Sequence, residues 1–359
     1  MKIMFSGGGT LGPVTPLLAV HEIYRRRNPG AKFVWVGTKR GPEKKILEKY
    51  NIVFYAVTSC KWRRYFSLRN IIDAIKFGVA FFQCLILLWI ETPDLLVSAG
   101  GFVSVPLHWA GALLGIPAWV HQQDPSVGLA NKLNARFAKK ITTALRDTAR
   151  FFPEKKTEWL GNPVRDLTVG DAQAARGRLG LPLTGPVIFA LGGGTGASKL
   201  NELVLQSLAS LPKDWQVIHL LGDRPMEMAE RAAQTFTNYH PRQFFTHEMK
   251  DAYAAADVVI ARAGFGTISE LAALGKAAVI IPMPGSHQEE NAKLLSANKA
   301  AIVLREETAN GMKLAHIVDE IARYPEFKDY LGNRLRSILP PARPERVVEI
   351  IEELTESKK

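Results

Sequence analysis

The sequence predicts an α/β fold made of two Rossmann-like domains, and three observations support this prediction. The chain has 359 residues, which is long for a single average core and suits two domains. An apolar strand, a glycine-rich turn and a helical pattern follow one another at residues 2–24 and again from residue 186. Strand and helix patterns alternate through most of the chain, which is typical of doubly wound parallel sheets.

The first half opens with a strand at residues 2–6 that runs into Ser-Gly-Gly-Gly-Thr before a helix from Pro16 to Tyr24. Glycine turns at the carboxyl ends of parallel strands expose backbone N–H groups to anionic ligands. The first turn lacks the G-x-x-x-x-G-K-[ST] pattern, which excludes an ATP-hydrolysing loop, and it lacks the dinucleotide pattern of NAD-dependent dehydrogenases. Further strands are predicted at 32–36, 52–56, 94–98, 118–121 and 141–144, and a second glycine turn, Ala-Gly-Gly-Phe-Val-Ser, follows residue 98.

Residues 60–90 combine cations with many large apolar side chains. The uncharged part, residues 77–90, is shorter than the roughly 20 residues that a spanning helix needs, so we expect it not to cross a bilayer. Cations beside aromatic residues favour an element that lies in the headgroup region of a membrane. A buried helix of the first domain is the alternative for residues 77–90, and the sequence leaves both open. The predicted membrane contacts are Trp62, Arg63, Arg64, Phe66, Phe82 and Trp89.

The second half repeats the architecture, with a strand that runs into Gly-Gly-Gly-Thr-Gly at residues 192–196 and further strands at 217–221, 244–246, 258–261 and 279–281. Residues 257–291 form a predicted βαβ unit. Its glycines allow a ligand close to the backbone, and the N–H groups near Thr267 and Ile268 point towards an anion. Glu270 is expected in the first helical turn, where a carboxylate can bind sugar hydroxyls.

We therefore predict a first domain at 1–165, a second at 166–340, and a C-terminal helix at 341–359 that packs back on the first. The net charge of +12 is uneven, because residues 1–165 contain 24 Lys and Arg against 10 Asp and Glu, whereas the remainder contains 22 against 24. A basic first domain suits an anionic membrane or an acidic substrate. No helix-turn-helix, zinc-finger or RNP pattern is present, so we expect no nucleic-acid partner.

Cysteine usage and the N-terminal sequence bear on the cellular compartment. The two cysteines have neither metal-ligand spacing nor a disulfide framework, which indicates a reducing compartment. The sequence also starts directly with a strand, without an apolar signal region, so we expect a cytoplasmic protein. No cluster of His, Cys and Asp indicates a metal held by the protein.

Motifs along nearly the whole chain resemble those of the family 28 glycosyltransferases, inverting enzymes that use nucleotide sugars. They read GGGTLGPVTP, GGFVS, HQQDPSVGLANK, GNPVR, GGGTGASKLNE and FTHEM, followed by the segment at 257–291. The resemblance implies a GT-B fold, in which two Rossmann-like domains face each other across a cleft. It also implies transfer of GlcNAc from UDP-GlcNAc to lipid I, undecaprenyl-diphosphate-MurNAc-pentapeptide, to give lipid II in peptidoglycan synthesis.

The same resemblance implies the partners and the site residues. We expect a peripheral protein on the cytoplasmic face of the cell membrane, with a polyprenyl-diphosphate-linked acceptor, an anionic membrane surface and cell-wall synthesis proteins as partners. No cofactor is expected, since UDP-GlcNAc is a substrate. The implied donor-binding residues are Arg165, Gly194, Thr195, Gly196, Thr246, Met249, Gly264, Gly266, Thr267, Glu270, His287, Gln288 and Asn291. The implied acceptor-binding residues are Gly8, Gly9, Thr10, Gly100, Gly101, Ser104, Gln123 and Asn131.

Two departures from the family pattern affect catalysis. The chain has Leu11-Gly12-Pro13 where the family has Gly-Gly-His, and it has His-Gln-Gln-Asp at 121–124 where the family has His-Glu-Gln-Asn. A positioned proton acceptor is worth roughly a hundred- to ten-thousand-fold in rate, so its loss needs compensation. We expect Asp124 or His121 to be catalytic, whereas the alternative for Asp124 is that it caps the turn before a proline. A transferase for another lipid acceptor and a membrane-associated homologue of reduced activity both stay open.

Overall fold

The computed structural model describes residues 1–58, 69–167, 170–193, 196–245 and 248–356, with side chains from residue 73 onwards in the second range. The chain divides into two compact units, Met1–Asp166 with Pro341–Lys359 and Leu167–Pro340. Seven residues predicted to bind the donor or the membrane lie outside the described residues: Trp62, Arg63, Arg64, Phe66, Gly194, Thr195 and Thr246.

Each unit contains one parallel sheet. The strands of the first unit are β1 Lys2–Ser6, β2 Lys32–Thr38, β3 Val53–Val57, β4 Leu95–Ser98, β5 Ala118–Gln122, β6 Lys140–Thr143 and β7 Thr157–Trp159. Those of the second unit are β8 Val187–Leu191, β9 Gln216–Leu220, β10 Tyr239–Arg242, β11 Val258–Ala261, β12 Ala277–Ile280 and β13 Ile302–Val303. The strand orders are β3-β2-β1-β4-β5-β6-β7 and β10-β9-β8-β11-β12-β13.

Helices connect these strands. In the first unit they are α1 Thr15–Arg27, α2 Glu43–Leu47, α3 Arg69–Glu91, α4 Ser104–Leu113 and α5 Leu129–Ala135. In the second unit they are α6 Ala172–Leu179, α7 Ser198–Ser207, α8 Glu227–Thr235, α9 Met249–Ala255, α10 Phe265–Leu274, α11 Gln288–Ala297, α12 Gly311–Arg323 and α13 Pro325–Ile338. The final helix, α14 Pro344–Glu356, belongs to the first unit.

The central strands are apolar on both faces because helices cover both sides of each sheet. Side chains alternate along a strand, so Ile3 and Phe5 of β1 point to one face of the first sheet while Met4 points to the other. The face of Ile3 and Phe5 packs on α1 and α14, and the face of Met4 packs on α3 and α4. This packing fixes the carboxyl ends of the strands, where the glycine turns lie.

Helix α14 packs against α1 through one apolar stripe. The buried residues recur at helical spacing: Val347, Ile350, Ile351 and Leu354. On its other side, Arg346 makes a two-pronged ion pair with Glu158 of β7, with N–O distances of 2.7 and 2.8 Å. A bidentate pair of this kind fixes the orientation of both side chains.

The strand expected at 244–246 is wrong, because residues 244 and 245 are irregular and the strand lies at Tyr239–Arg242. This strand contains Pro241, which removes a backbone donor, and it occupies the edge of the sheet, where proline is tolerated. Its sequence therefore shows no continuous apolar run. The short strands β7 and β13, of three and two residues, were not predicted either.

Helix α3 is longer than the uncharged run that the sequence analysis considered. Residues Asp73–Glu91 form a stretch long and apolar enough to cross a membrane by length and composition, a test that a core helix of a soluble protein also passes. The length of α3 therefore does not support the expectation that this segment cannot cross a bilayer. Cys84, Leu87 and Leu88 are buried against the first sheet, so one face of α3 belongs to the core.

Candidate functional site

Four glycine-rich turns lie at the points where the strand order of each sheet reverses. In the first sheet β1 lies between β2 and β4, and in the second β8 lies between β9 and β11. Open α/β sheets bind ligands at such switch points, beyond the carboxyl ends of the strands. The turns are the first glycine loop (7–13, after β1), the second (99–103, after β4), the third (192–197, after β8) and the donor turn (262–264, after β11).

The first and second glycine loops are in contact. A Cβ atom at Gly101 would lie 3.2 Å from the carbonyl oxygen of Gly8 and 3.3 Å from its nitrogen, and Gly101 has φ of +85°. Only glycine suits this position, since a side chain would be strained and crowded. Gly9 and Thr10 are exposed beside this contact. The structure thus brings the predicted acceptor-binding glycines Gly8, Gly9, Gly100 and Gly101 together.

Ser104, predicted to bind the acceptor, instead supports the second glycine loop. It is fully buried, and its hydroxyl donates to the carbonyl of Gly101 at 2.7 Å and accepts from Nδ2 of Asn134 at 2.8 Å. Asn131 is also buried, and its Nδ2 donates to the carbonyl of His121 at 3.1 Å and to Oε1 of Gln122 at 2.8 Å. Both side chains are therefore directed into the protein, where Ser104 holds the backbone of Gly101 and Asn131 holds that of His121.

Gln123 lies beside the first glycine loop. It is 2% exposed, and its Nε2 would be 3.5 Å from a Cβ atom placed on Gly12. Its Oε1 is buried without a hydrogen-bond partner within the described part of the chain. A buried acceptor left unsatisfied is costly, so a donor supplied by a ligand would be favourable here.

His121 occupies a closed position in the first unit. It is 1% exposed, its Nδ1 is 2.8 Å from Oγ1 of Thr142, and its Nε2 is 2.8 Å from Oδ1 of Asn162. Burial lowers the pKa of His121 to about 4, against a raising effect of Asn162. With both ring nitrogens hydrogen-bonded inside the protein, His121 joins β5 to β6 and to residue 162, and the predicted catalytic role does not fit this position.

Asp124 lies two residues after the end of β5 and is half-buried. Its backbone carbonyl accepts from Nε2 of Gln122 at 2.8 Å, which tightens the turn after the strand. The carboxylate thus belongs to the same edge of the first sheet as the first and second glycine loops. Its role as a base stays a prediction.

The third glycine loop is packed closely against the turn after β9. Gly193 and Gly196 have φ of +82° and +72°, and a Cβ atom at Gly222 would lie 2.6 Å from the nitrogen of Gly196. Glycine at positions 196 and 222 lets two turns touch where a Cβ atom would clash with backbone. The loop leads directly into α7, as the sequence predicts for an anion-binding turn.

Helix α10 begins at Phe265 with Gly264 as its N-cap. The nitrogen of Ile268 donates to the carbonyl of Gly264 at 3.0 Å, so the first-turn N–H groups of residues 265–267 have no partner carbonyl within the helix. Such groups favour an anion at this helix end. Glu270 lies in the second turn rather than the first, because the helix starts only at Phe265.

Asn291 connects the predicted sugar-binding segment to the donor turn. Its Nδ2 donates to the carbonyl of Ala263 at 2.9 Å, and its buried Oδ1 has no partner among the described residues. Gln288 accepts from the backbone nitrogen of Met283 at 3.1 Å, while His287 is exposed at the start of α11. The donor turn and the loop before α11 are thus one connected surface.

The other described residues that were predicted to bind the donor belong to α9, to α10 and to the first unit. Met249 opens α9 and is half-buried, whereas Arg165 is a half-buried residue of the first unit. Gly266 and Thr267 are in the first turn of α10.

Arg262, which follows β11, was not predicted from the sequence to belong to the site. Its Nη1 donates to the carbonyls of Ile281 and Pro282 at 3.1 and 3.2 Å and pairs with Glu306 at 2.7 Å. The residue therefore ties the donor turn to the end of β12. The only signal in the sequence is a lone cation between an apolar strand and a glycine turn.

One face of α3 is apolar and exposed. Its members recur at intervals of four and three residues, which places them on one side of the helix. They are Ile75, Val79, Phe82, Ile86 and Trp89, with exposures between 46% for Val79 and 78% for Trp89. We call this set the α3 stripe.

Comparisons with known proteins agree with this architecture. The N-terminal domain model of glycosyltransferase family 28 matches residues 3–143, and the C-terminal domain model matches residues 187–331. A curated UDP-N-acetylglucosamine--N-acetylmuramyl-(pentapeptide) pyrophosphoryl-undecaprenol N-acetylglucosamine transferase from Bacillus subtilis is 33% identical, with 99% of both chains covered. A Bacillus cereus protein of the same name, numbered 2, is 35% identical over 90% of this chain and 92% of its own.

The crystal structure of MurG from Acinetobacter baumannii matches with a TM-score of 0.75 and 25% identity, covering 98% of this chain and 99% of that one. The prediction of two Rossmann-like α/β domains of the GT-B class is confirmed by this match and by the two parallel sheets. The domain models and the full-length relatives show that the chain belongs to glycosyltransferase family 28.

Proposed function

We propose that this protein transfers GlcNAc from UDP-GlcNAc to lipid I, with inversion at the anomeric carbon, and so makes lipid II. The proposal rests first on full-length similarity to curated transferases that carry this activity in their names. No cofactor is needed in this proposal, because the donor brings its own activated leaving group, UDP. The structural support comes from the two switch points, one for each substrate.

The observation that carries the proposal is the grouping around the donor turn. The N-terminus of α10 offers a diphosphate N–H groups that have no partner carbonyl within the helix, and Nδ2 of Asn291 donates to the carbonyl of Ala263 in the same turn. Glu270 lies one turn further along α10, half-buried, with a carboxylate that can accept from ribose hydroxyls. His287 and Gln288 lie at the loop next to this turn, where a sugar attached to the diphosphate would be placed.

The first unit is the proposed acceptor domain. Its first and second glycine loops touch at Gly8 and Gly101, and Gln123 has an unsatisfied buried oxygen beside them, within the part of the chain described here. The excess of cations in residues 1–165 favours an acceptor that carries a diphosphate. We assign Asp124 as the group that takes the acceptor proton, since it lies at the same sheet edge and the family histidine is replaced by Pro13.

The α3 stripe is the proposed membrane contact. An exposed apolar patch of this extent marks an interaction surface, and a lipid-linked acceptor requires one that faces a bilayer. The exposed Lys76 and the cations of residues 61–69 add attraction to anionic headgroups. We propose peripheral attachment at the cytoplasmic face, with the buried face of α3 kept in the core of the first unit.

A second candidate is transfer to a different lipid, such as diacylglycerol or another polyprenyl diphosphate. The observation that favours it is the altered acceptor edge, with Pro13 and Asp124 in place of the family residues. The deciding experiment offers UDP-GlcNAc with a lipid I analogue and with diacylglycerol in parallel vesicles. Transfer to the lipid I analogue alone supports the first proposal, and transfer to diacylglycerol alone replaces it.

A further inference from the structure

A buried carboxylate lies beneath the first glycine loop. Glu43 opens α2 directly after Gly41-Pro42, and it is fully buried. Its Oε1 accepts from the backbone nitrogen and from the hydroxyl of Thr38, each at 2.6 Å. Its Oε2 accepts from the backbone nitrogen of Gly9 at 3.2 Å. One carboxylate therefore joins the end of β2 to the exposed part of the first glycine loop.

Three glycines leave room for this carboxylate. A Cβ atom at Gly8 or at Gly41 would overlap the Glu43 carboxyl group, and one at Gly37 would lie 3.1 Å from Cγ of Glu43. Burial of a charged or polar group is tolerated only where hydrogen bonds replace those to water. The enclosure meets this condition, because three donors face the two carboxylate oxygens.

The arrangement changes how the first glycine loop can bind an anion. The N–H group of Gly9 is already donated to Glu43, so it is not free for a diphosphate. On the outer side, no atom of the described residues other than the two chain neighbours of Gly9 lies within 4 Å of the position that its Cβ would take, and Thr10 is exposed. The outer surface of the loop is therefore open, while its inner surface is fixed. Fixing a binding loop in advance lowers the entropy cost of binding.

We propose that Glu43 is a positioning residue for the acceptor. It holds Gly9 and Thr10 in the conformation that meets the anionic headgroup of the lipid-linked substrate, and it touches no substrate itself. This inference rests on the proposed function, because it assigns the first glycine loop to the acceptor. It differs from a purely structural role, which would change the kinetics for both substrates alike.

The test is Glu43→Gln, assayed with the full-length protein in vesicles that contain a lipid I analogue. The amide has nearly the same size, but its NH2 group must face either Thr38 or Gly9 as a donor, so one of the two links is lost. We expect the KM for the acceptor to rise about tenfold or more, as for loss of a hydrogen bond to a charged group. The KM for UDP-GlcNAc should stay unchanged, and the assay is run below the melting temperature of the variant, which falls because one buried hydrogen bond is lost.

The matched control is Glu48→Gln, which removes the same charge from an exposed residue five positions further on. Its kinetics should equal those of the wild type. If Glu43→Gln does not fold, Gly41→Ala serves instead, because its methyl group would overlap Oε2 of Glu43, the atom that accepts from Gly9. This variant should show the same rise in acceptor KM at unchanged donor KM.

The inference is overturned if the acceptor KM is the same in wild type and variant, or if the KM values for donor and acceptor rise by the same factor. Either result leaves the proposed function intact. If the wild type transfers to no lipid I analogue, the proposed function fails, and amide hydrogen exchange then decides. Faster exchange at Gly9 and Thr10 in Glu43→Gln, with the rest of the unit unchanged, supports loop positioning. Unchanged exchange at both residues overturns it.

Discussion

The phenolic hydroxyl of Tyr253 donates to Oε2 of Glu270 at 2.8 Å. Tyr253 is fully buried, and its ring meets that of Phe189 in β8 edge to face, with centroids 5.3 Å apart. The proposed ribose-binding carboxylate is therefore oriented by a side chain anchored in the core of the second unit. A carboxylate held in this way loses little freedom when it binds a ligand.

We predict that Glu270→Ala weakens UDP binding by about 1–3 kcal/mol, because ribose hydroxyls lose a charged acceptor. Isothermal calorimetry with UDP measures this directly. Glu290→Ala is the control, since Glu290 is exposed on α11 and pairs with Lys293 one turn away. Unchanged UDP affinity in the Glu270 variant would remove this residue from the donor site.

Asp124→Asn is predicted to lower kcat by about a hundredfold or more, since an amide cannot accept the acceptor's proton. The affinity for UDP-GlcNAc should hardly change, because the proposed donor contacts, apart from Arg165, lie in the second unit. Adding Pro13→His to this variant should restore part of the rate. A near-normal kcat for the folded variant with saturating acceptor would eliminate Asp124 as the base.

Replacing Phe82 and Trp89 by serine should reduce binding to anionic vesicles by about tenfold or more, as two large apolar side chains no longer leave water. Both are exposed, so the fold should persist, and sedimentation with vesicles gives the bound fraction. Met312→Ser, at an exposed position of the second unit, is the control. Charge reversal at Arg63 and Arg64 should weaken binding to the same vesicles further, by about 1 kcal/mol for each cation removed. Sedimentation equal to wild type would exclude the α3 stripe from the membrane contact.

The ion pair between Glu158 and Arg346 predicts a pH dependence of stability. Hydrogen bonding from Arg346, together with Lys140, lowers the pKa of Glu158 to about 2 from an ordinary 4.5, against burial, which raises it. The folded state thus favours the ionised form, so the stabilisation is present above pH 4.5 and is lost as the pH falls towards 2. Urea unfolding should show Glu158→Gln less stable than wild type at pH 7, with the difference shrinking below pH 4.5. A difference independent of pH would contradict this.

The glycine turns and their placement could be predicted because they are local. A strand, a turn that needs positive φ and a helix leave a pattern within about 20 residues, and parallel strands bring their carboxyl ends to one edge. This is why Gly9, Gly100 and Gly101 were found from the sequence. The edge strand β10 was missed, since a strand with Pro241 and one buried face has no apolar run.

Contacts between distant segments could not be predicted. Glu43 reaches Gly9 across 34 positions, and nothing in the α2 sequence distinguishes it from a solvated glutamate. His121 carries a polar side chain in a motif, yet both of its ring nitrogens are hydrogen-bonded inside the protein, to Thr142 and to Asn162. In both cases the deciding fact is which strands lie side by side, a property of the sheet order and not of the local sequence.

The most direct test of the proposed activity is transfer of radiolabelled GlcNAc from UDP-GlcNAc to a lipid I analogue, with the anomeric configuration of the product determined by NMR. We expect a labelled lipid product with a β-linked GlcNAc, formed in proportion to the enzyme and absent without the acceptor. Failure to label the lipid under conditions that saturate both substrates, or an α-linked product, would contradict the proposal of an inverting transferase of lipid II synthesis.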